Sequence, residues 1–365
     1  ALSSAASDVY KRQDNMRLKK HILTIIFIIL ISLQTFSFAS EVSITAKSAI
    51  LVEVSTGRII YEKNSTKRMY PASTTKIMTA IVVLENCKLD DIVTVNASAL
   101  EGIPSGYVTC DLHPGEELTV NDLLYALMVK SGNDVACVLA EHVAGSVEAF
   151  ADMMNKKAEE IGCTGTHFVN PNGIHDDAHY TTAYDLYLMA KYGMQNETFR
   201  TLVSTTSYTL PATNKHPEAD RSFSNSNELL NKNSRNYYYS NAIGIKTGTT
   251  SQAGDCLVAQ SSRDGLDFIS VVLDSGTTSD GLSGRFMDTK ELFDYAYDNF
   301  TLTKVTEENS LIDTIEIENA TKETKNLDLL IDKEITIINK KDLNVVQIIP
   351  EIKLNENLEA PINKR

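Results

Sequence analysis

Strand-like runs stand at two widely separated places in this chain, and nearly everything between them reads as helix. Ala49–Val54 and Ile59–Tyr61 are apolar runs joined by Ser55-Thr56-Gly57-Arg58, a hairpin signature. Strand character returns at Ala242–Thr247, then at Cys256–Ser261 and Phe268–Leu273 around Arg263-Asp264-Gly265. A doubly wound fold would alternate strand and helix instead. Strands at both ends of a helical middle predict the α+β class, an antiparallel sheet flanked by helices with a helical lobe inserted.

The middle carries clear helix punctuation. Pro71 opens a pattern from Ser73 to about Glu85, with Ile77, Ala80, Ile81 and Leu84 on one face. Val120–Val143 is rich in helix formers but is broken by Ser131-Gly132-Asn133, so one helix ends there and another begins. Ala149–Ile161 is amphipathic and stops at Gly162. A Pro/Asn/Gly/His-rich loop, Asn170–His179, precedes a helix from about Thr182 to Tyr192, and Arg285–Asn299 reads as a closing helix. From about Leu302 the texture changes to short alternating runs: Thr314–Glu318, Leu327–Ile331, Glu334–Ile338 and Val345–Ile349. They predict a small all-β domain over 301–365. It stops after Ala360-Pro361-Ile362 with no closing strand pair or terminal helix, and is expected to be incomplete.

The start of the chain reads as a secretion signal. Met16 is followed by Arg17, Lys19 and Lys20, an apolar run from Ile22 to Leu33, and small residues at Ser37 and Ala39, which place cleavage after Ala39. The apolar run is short for a bilayer of about 30 Å. Residues 1–15 precede that methionine and are expected to be a non-native leader, 16–39 the signal peptide and 40–300 the main domain. The 365 residues are 42% hydrophobic, enough for a sizeable core, and carry a net charge of −14, which argues against a nucleic-acid partner. Five dispersed cysteines without a CxxC pair support neither a disulfide framework nor a zinc ribbon.

Three short runs carry the chemistry. In Ser73-Thr-Thr-Lys76, residues i and i+3 share a helical face, so Lys76 can reach the Ser73 hydroxyl. A serine at a helix start also has free N–H groups and the positive end of the macrodipole nearby. A lysine takes the serine proton if burial or neighbouring cations lower its pKa. Ser131-Gly-Asn133 interrupts an apolar helix pair and offers a hydroxyl for proton relay and an amide for a substrate amide. The similar Ser234-Arg-Asn236 lies in a polar setting and serves as a chance control. Lys246-Thr-Gly248-Thr249 continues an apolar strand, where a cation and hydroxyls can hold a carboxylate and Gly248 lets backbone approach. Together they outline acyl transfer on a carboxylate-bearing amide.

In this order and with these flanks the runs resemble the serine penicillin-recognising enzymes, and within them the low-molecular-mass D-alanyl-D-alanine carboxypeptidases. The supporting segments are Tyr70-Pro-Ala-Ser-Thr-Thr-Lys76, Leu127-Met-Val-Lys-Ser-Gly-Asn-Asp-Val-Ala136, Phe168-Val-Asn-Pro-Asn-Gly-Ile174, His179-Tyr-Thr-Thr-Ala-Tyr-Asp185 and Gly244 through Leu257. The resemblance covers about Ser43 to Phe300. It implies a β-lactamase/transpeptidase-like fold and a penicillin-inhibited enzyme that acylates Ser73 with Lys76 as base. Ser131 and Asn133 would serve proton relay and substrate amide, while Lys246, Thr247 and Thr249 would receive the carboxylate. The N–H groups of Ser73 and Thr249 would form the oxyanion hole, and Asp185 matches a position near the site. The implied partners are a peptidoglycan pentapeptide and β-lactams, with no cofactor, at the extracytoplasmic face of a bacterial membrane or wall. Relatives usually end in an amphipathic helix on the membrane, so an anchor missing from this chain is implied by resemblance only.

Two alternatives frame this reading. A class A β-lactamase would carry a deacylating glutamate between the second and third runs, and the corresponding Asn170-Pro-Asn-Gly-Ile-His-Asp176 has none. A non-catalytic peptidoglycan-binding protein has no need of an intact polar set. His175 and His179 beside Asp176 and Asp177 lack a third ligand and are read as loop histidines rather than a metal site.

Overall fold

Every residue of Ser48–Glu53 (β1) is buried, as befits an interior strand of a sheet covered on both faces. The structure, a computed structural model, is described for residues 42–316, 326–331 and 334–341. The expected leader, the signal peptide, the strand at Val345–Ile349 and the chain end lie outside the described residues.

Ile59–Lys63 (β2) completes the first hairpin, and Glu53 ties its turn by accepting the N–H and hydroxyl groups of Ser55 and Thr56. The remaining strands of the sheet are Ala242–Thr250 (β3), Gly254–Arg263 (β4) and Leu266–Ser275 (β5). Their order is β2-β1-β5-β4-β3, antiparallel throughout. β1 thus pairs with β5, Ser48 opposite Leu273 and Glu53 opposite Phe268. The α+β expectation holds, and the two sequence-distant strand groups form one sheet.

Side chains alternate between the two faces of the sheet. Ile50, Val52, Val258, Ile269 and Val271 join the core shared with the helical lobe. Ala49, Leu51, Leu257, Phe268 and Val272 point to a second core on the other face. The lobe begins with Lys76–Asn86 (α1), whose first eight residues are all buried, so this helix is enclosed on every side. Around it lie Val120–Tyr125 (α2), Asn133–Ala144 (α3), Val147–Ile161 (α4), Ala183–Gly193 (α5) and Glu197–Ser204 (α6). Side-chain oxygens of Thr119, Ser146, Thr182 and Asn196 cap α2, α4, α5 and α6, and left-handed Gly145 and Gly162 stop α3 and α4. The sequence reading anticipates all of these except α6, whose Phe199, Leu202 and Val203 are buried at helical spacing.

Gly284–Asn299 (α7) closes the second core with Phe286, Leu292, Phe293 and Ala296. Beyond it Phe300–Thr306 pairs with Ile335–Lys340, and Leu311–Glu316 with Asn326–Leu330, a small all-β region. Ile338 and Phe300 enter the second core. Among the described residues no helix is long and apolar enough to cross a membrane, and all five cysteines are free thiols.

Candidate active site

Ser73 lies in a tight 3-10 turn, Ala72–Thr75, that runs directly into α1. The neighbouring hydroxyls fasten the turn: Thr74 Oγ1 donates to Pro71 O at 2.7 Å and Thr75 Oγ1 to Ala72 O at 2.8 Å. Ala72 adopts φ +48°, a left-handed conformation that costs a non-glycine residue about 1 kcal/mol. Strain thus sits immediately before the serine. Gly173 packs so closely over this turn that a Cβ there would lie 1.9 Å from Ala72 O.

Three residues on, Lys76 Nζ stands 3.0 Å from Ser73 Oγ, 2.9 Å from Asn133 Oδ1 and 2.6 Å from Asn172 O. The lysine is fully buried. Desolvation, and then the nearby Lys246 cation, hold its amine well below the usual lysine range. A neutral amine has two hydrogens and one lone pair. The two carbonyl oxygens take the hydrogens, which leaves the lone pair facing the serine hydroxyl. That is the arrangement of a base ready to accept a proton.

A π-helical turn, Ala126–Lys130, follows α2 and delivers Ser131 in a left-handed conformation, φ +70°. Asn133 then starts α3. Its Nδ2 and backbone N–H both donate to Val108 O at 2.9 Å, while its Oδ1 holds Lys76. One Nδ2 hydrogen remains for a substrate. Buried Asp134 straps the preceding loop down by accepting the Cys110 and Leu112 N–H groups, and burial pushes its carboxyl up.

On β3, Lys246 is buried and its Nζ donates to Thr247 O at 3.3 Å; desolvation, then Arg285, bring its pKa down to about 7. The Thr247 hydroxyl pairs with Ser226 Oγ. Thr249 Oγ1 donates to Asp255 Oδ1 at 2.9 Å and accepts from Arg285 Nη1 at 2.7 Å. Its one proton is therefore committed to Asp255, and the Arg285 guanidinium stands where the sequence reading placed only Lys246 and threonines. Arg285 also donates to Gly248 O, while its Nε is buried without a partner. A Cβ on Gly248 would meet Pro71 O and Ser73 N at 3.0 Å. The missing side chain thus lets the strand edge close on the serine turn, a different contact from the substrate approach read from the sequence. Ser226, Asp255 and Arg285 were not singled out from the sequence; a cation at the start of α7 was the signal available.

Ser73, Ser131, Asn133 and Thr249 line one cleft of about 420 Å³; buried Lys76 meets it through Ser73, while Lys246, Thr247 and Gly248 are not among its lining residues. A cavity of about 490 Å³ adjoins it across Ile174 but includes none of these groups. Ser234 and Asn236, the chance control, lie in surface turns. Asp185 lies outside the cleft lining; its Oδ2 accepts Gly165 N–H and the Thr166 hydroxyl. His179 is buried against Thr75, and His175 lies edge-on to Tyr70, so neither acts as a paired ligand.

The family description of D-alanyl-D-alanine carboxypeptidases matches residues 35–277. The chain belongs to this family. It is 32% identical over 330 residues to the D-alanyl-D-alanine carboxypeptidase DacF of Bacillus subtilis, covering 89% of this chain and 80% of that protein. Among solved structures, penicillin binding protein 5 of Haemophilus influenzae superposes with a TM-score of 0.70 at 29% identity, over 82% of this chain and 84% of that one. The DD-transpeptidase of Streptomyces K15 gives a TM-score of 0.62 at 34% identity, over 70% and 98% respectively. As a D-alanyl-D-alanine carboxypeptidase the chain is a serine peptidase of the transpeptidase-like fold. The β-lactamase and non-catalytic readings give way to this assignment.

Proposed function

We propose that this carboxypeptidase removes the terminal D-alanine of a peptidoglycan stem peptide through an ester on Ser73. The observation that carries the proposal is the set of three partners around the Lys76 amine, with two carbonyl oxygens fixing its hydrogens and the Ser73 hydroxyl 3.0 Å away. Lys76 takes the proton as Ser73 Oγ attacks the carbonyl carbon of the penultimate residue. The N–H groups of Ser73 and Thr249 stabilise the developing oxyanion. The bond to the terminal D-alanine breaks, and its amine leaves with a proton passed on from Lys76 through the Ser131 hydroxyl. Water then attacks the ester and restores Ser73.

Lys246, Thr247 and Arg285 receive the terminal carboxylate. Two neighbouring cations, one on β3 and one bonded to the cleft residue Thr249, suit that group, and their mutual repulsion in its absence is relieved when it binds. β-Lactams enter the same cleft and acylate the same serine. No carboxylate from the Asn170–Asp176 loop is among the residues lining it, so the penicilloyl ester is long-lived. This chemistry belongs outside the cytoplasm, where its substrate class is found.

Labelling with a fluorescent penicillin tests the nucleophile. The expected result is a covalent adduct on the wild-type chain and none on Ser73→Ala, while equal labelling of both would refute it. Release of D-alanine from a pentapeptide tests the reaction itself.

A further inference from the structure

The two helices that bring Lys76 and Asn133 together at the cleft also approach one another at their far ends. There Cys87, just past α1, Asp91 in the following loop and His142 in the last turn of α3 each offer one ligand atom, all within 4.8 Å of one another. Cys87 differs from the other four cysteines in being only half buried. Among the described residues no hydrogen bond engages its thiol or the His142 ring. Asp91 Oδ2 accepts the Lys88 N–H at 2.8 Å, which orients the carboxylate and leaves Oδ1 free. The loop is itself held, because Asp91 O and Leu89 O accept the Val120 and Asn121 N–H groups.

The geometry points to a divalent metal site formed by Cys87 Sγ, Asp91 Oδ1 and His142, suited to a zinc-like ion and clipping the far ends of the two helices that carry the catalytic base and its partner. Thiolate, imidazole and carboxylate are the donor set of a borderline ion such as Zn²⁺, with water in the fourth position. Tetrahedral bonds of about 2.0–2.3 Å draw ligand atoms to roughly 3.5 Å apart. A rotamer adjustment of the exposed His142 side chain closes the remaining gap of about 1 Å. On binding, the Cys87 thiol gives its proton to the buffer, and the hexa-aqua ion gives up five waters and keeps one in the fourth position. A second cluster, Asp111, His113 and His216, is also within reach of an ion. It is the weaker candidate, because the two rings stack at 4.7 Å and His216 Nε2 already contacts Asp111 O.

The test is titration of the chelator-treated full chain with Co²⁺ and Zn²⁺. The expected result is one tightly bound Co²⁺ with sulfur-to-cobalt charge-transfer absorption, absent in Cys87→Ser, and an affinity loss of at least about 100-fold in His142→Ala. Zn²⁺ should raise the melting temperature of the wild type and of neither variant. Metal-free variants should acylate with penicillin at the wild-type rate, since none of the three residues lines the cleft. Absence of saturable binding would overturn the site. So would a charge-transfer band that persists in Cys87→Ser, or binding lost in His113→Ala and kept in His142→Ala.

Discussion

His179 Nε2 meets Thr75 Oγ1 at 2.8 Å, two residues from Ser73. Since that hydroxyl donates its proton to Ala72 O and Val169 N–H donates to His179 Nδ1, the ring must be neutral with its hydrogen on Nε2. Burial brings its pKa down to about 4, below the usual 6.5. The unfolded chain therefore binds a proton that the folded chain refuses between those values. Stability is full above about pH 6.5 and falls as the pH drops toward 4, by up to ~3 kcal/mol from this group. Urea midpoints at pH 7.5 and 4.5 should show the drop, and His179→Gln should reduce it; an unchanged slope would refute the assignment.

The two buried lysines predict the pH profile of catalysis. The proposed mechanism requires Lys76 neutral and Lys246 charged, and the Lys246 cation favours the neutral form of Lys76. The Lys246 charge is lost as the pH rises through about 7 in the free enzyme. D-Alanine release should accordingly show kcat/KM declining above that value, with an acid limb set by Lys76. Lys246→Ala should remove the alkaline limb and lower kcat/KM by ~2 kcal/mol, or about 30-fold.

Gly248→Ala and Gly173→Ala should separate catalysis from folding. At Gly248 the added carbon meets Pro71 O and Ser73 N at 3.0 Å, a contact that a shift of a few tenths of an ångström relieves. We expect acylation to slow by about 10–100-fold with ~1 kcal/mol or less of stability lost. At Gly173 the carbon would lie 1.9 Å from Ala72 O on a backbone with φ +82°. That variant should lose several kcal/mol, roughly 3 or more, in denaturant unfolding.

Asn133→Asp replaces the Lys76 acceptor with a carboxylate of the same shape. A negative charge about 3 Å from the amine favours the ammonium form and should raise the Lys76 pKa. The acid limb of penicillin acylation should move to higher pH, whereas Asn133→Ala should slow acylation without such a displacement.

Much of this was legible in the sequence because it is local. Helix ends announce themselves through Gly162 and Thr182, and the Ser73–Lys76 pair follows from helical spacing alone; the Thr119 and Ser146 caps were not read. The strand order was not legible, since β1 finds β5 through a pairing that leaves no trace in either neighbourhood. The same holds for Arg285 and Ser226, which reach the β3 edge from separate elements. Asn133 was read as facing a substrate; its observed partners, Lys76 and Val108 O, become visible only once α1, α3 and the Val108 loop are assembled. The π turn before Ser131 had no signal that the residues Ala126–Lys130 would distinguish from an ordinary helix.

The pairing of β1 with β5 also sets an order of events in time. The partners are about 220 residues apart, so a chain emerging N-terminus first presents β1 long before anything can pair with its inner edge. Closing so long a loop is entropically costly, and no shorter contact can substitute for it. The central sheet of this protein therefore cannot close until nearly all of the catalytic portion has been made. Assembly of the central sheet coincides with the arrival of its last strand, β5.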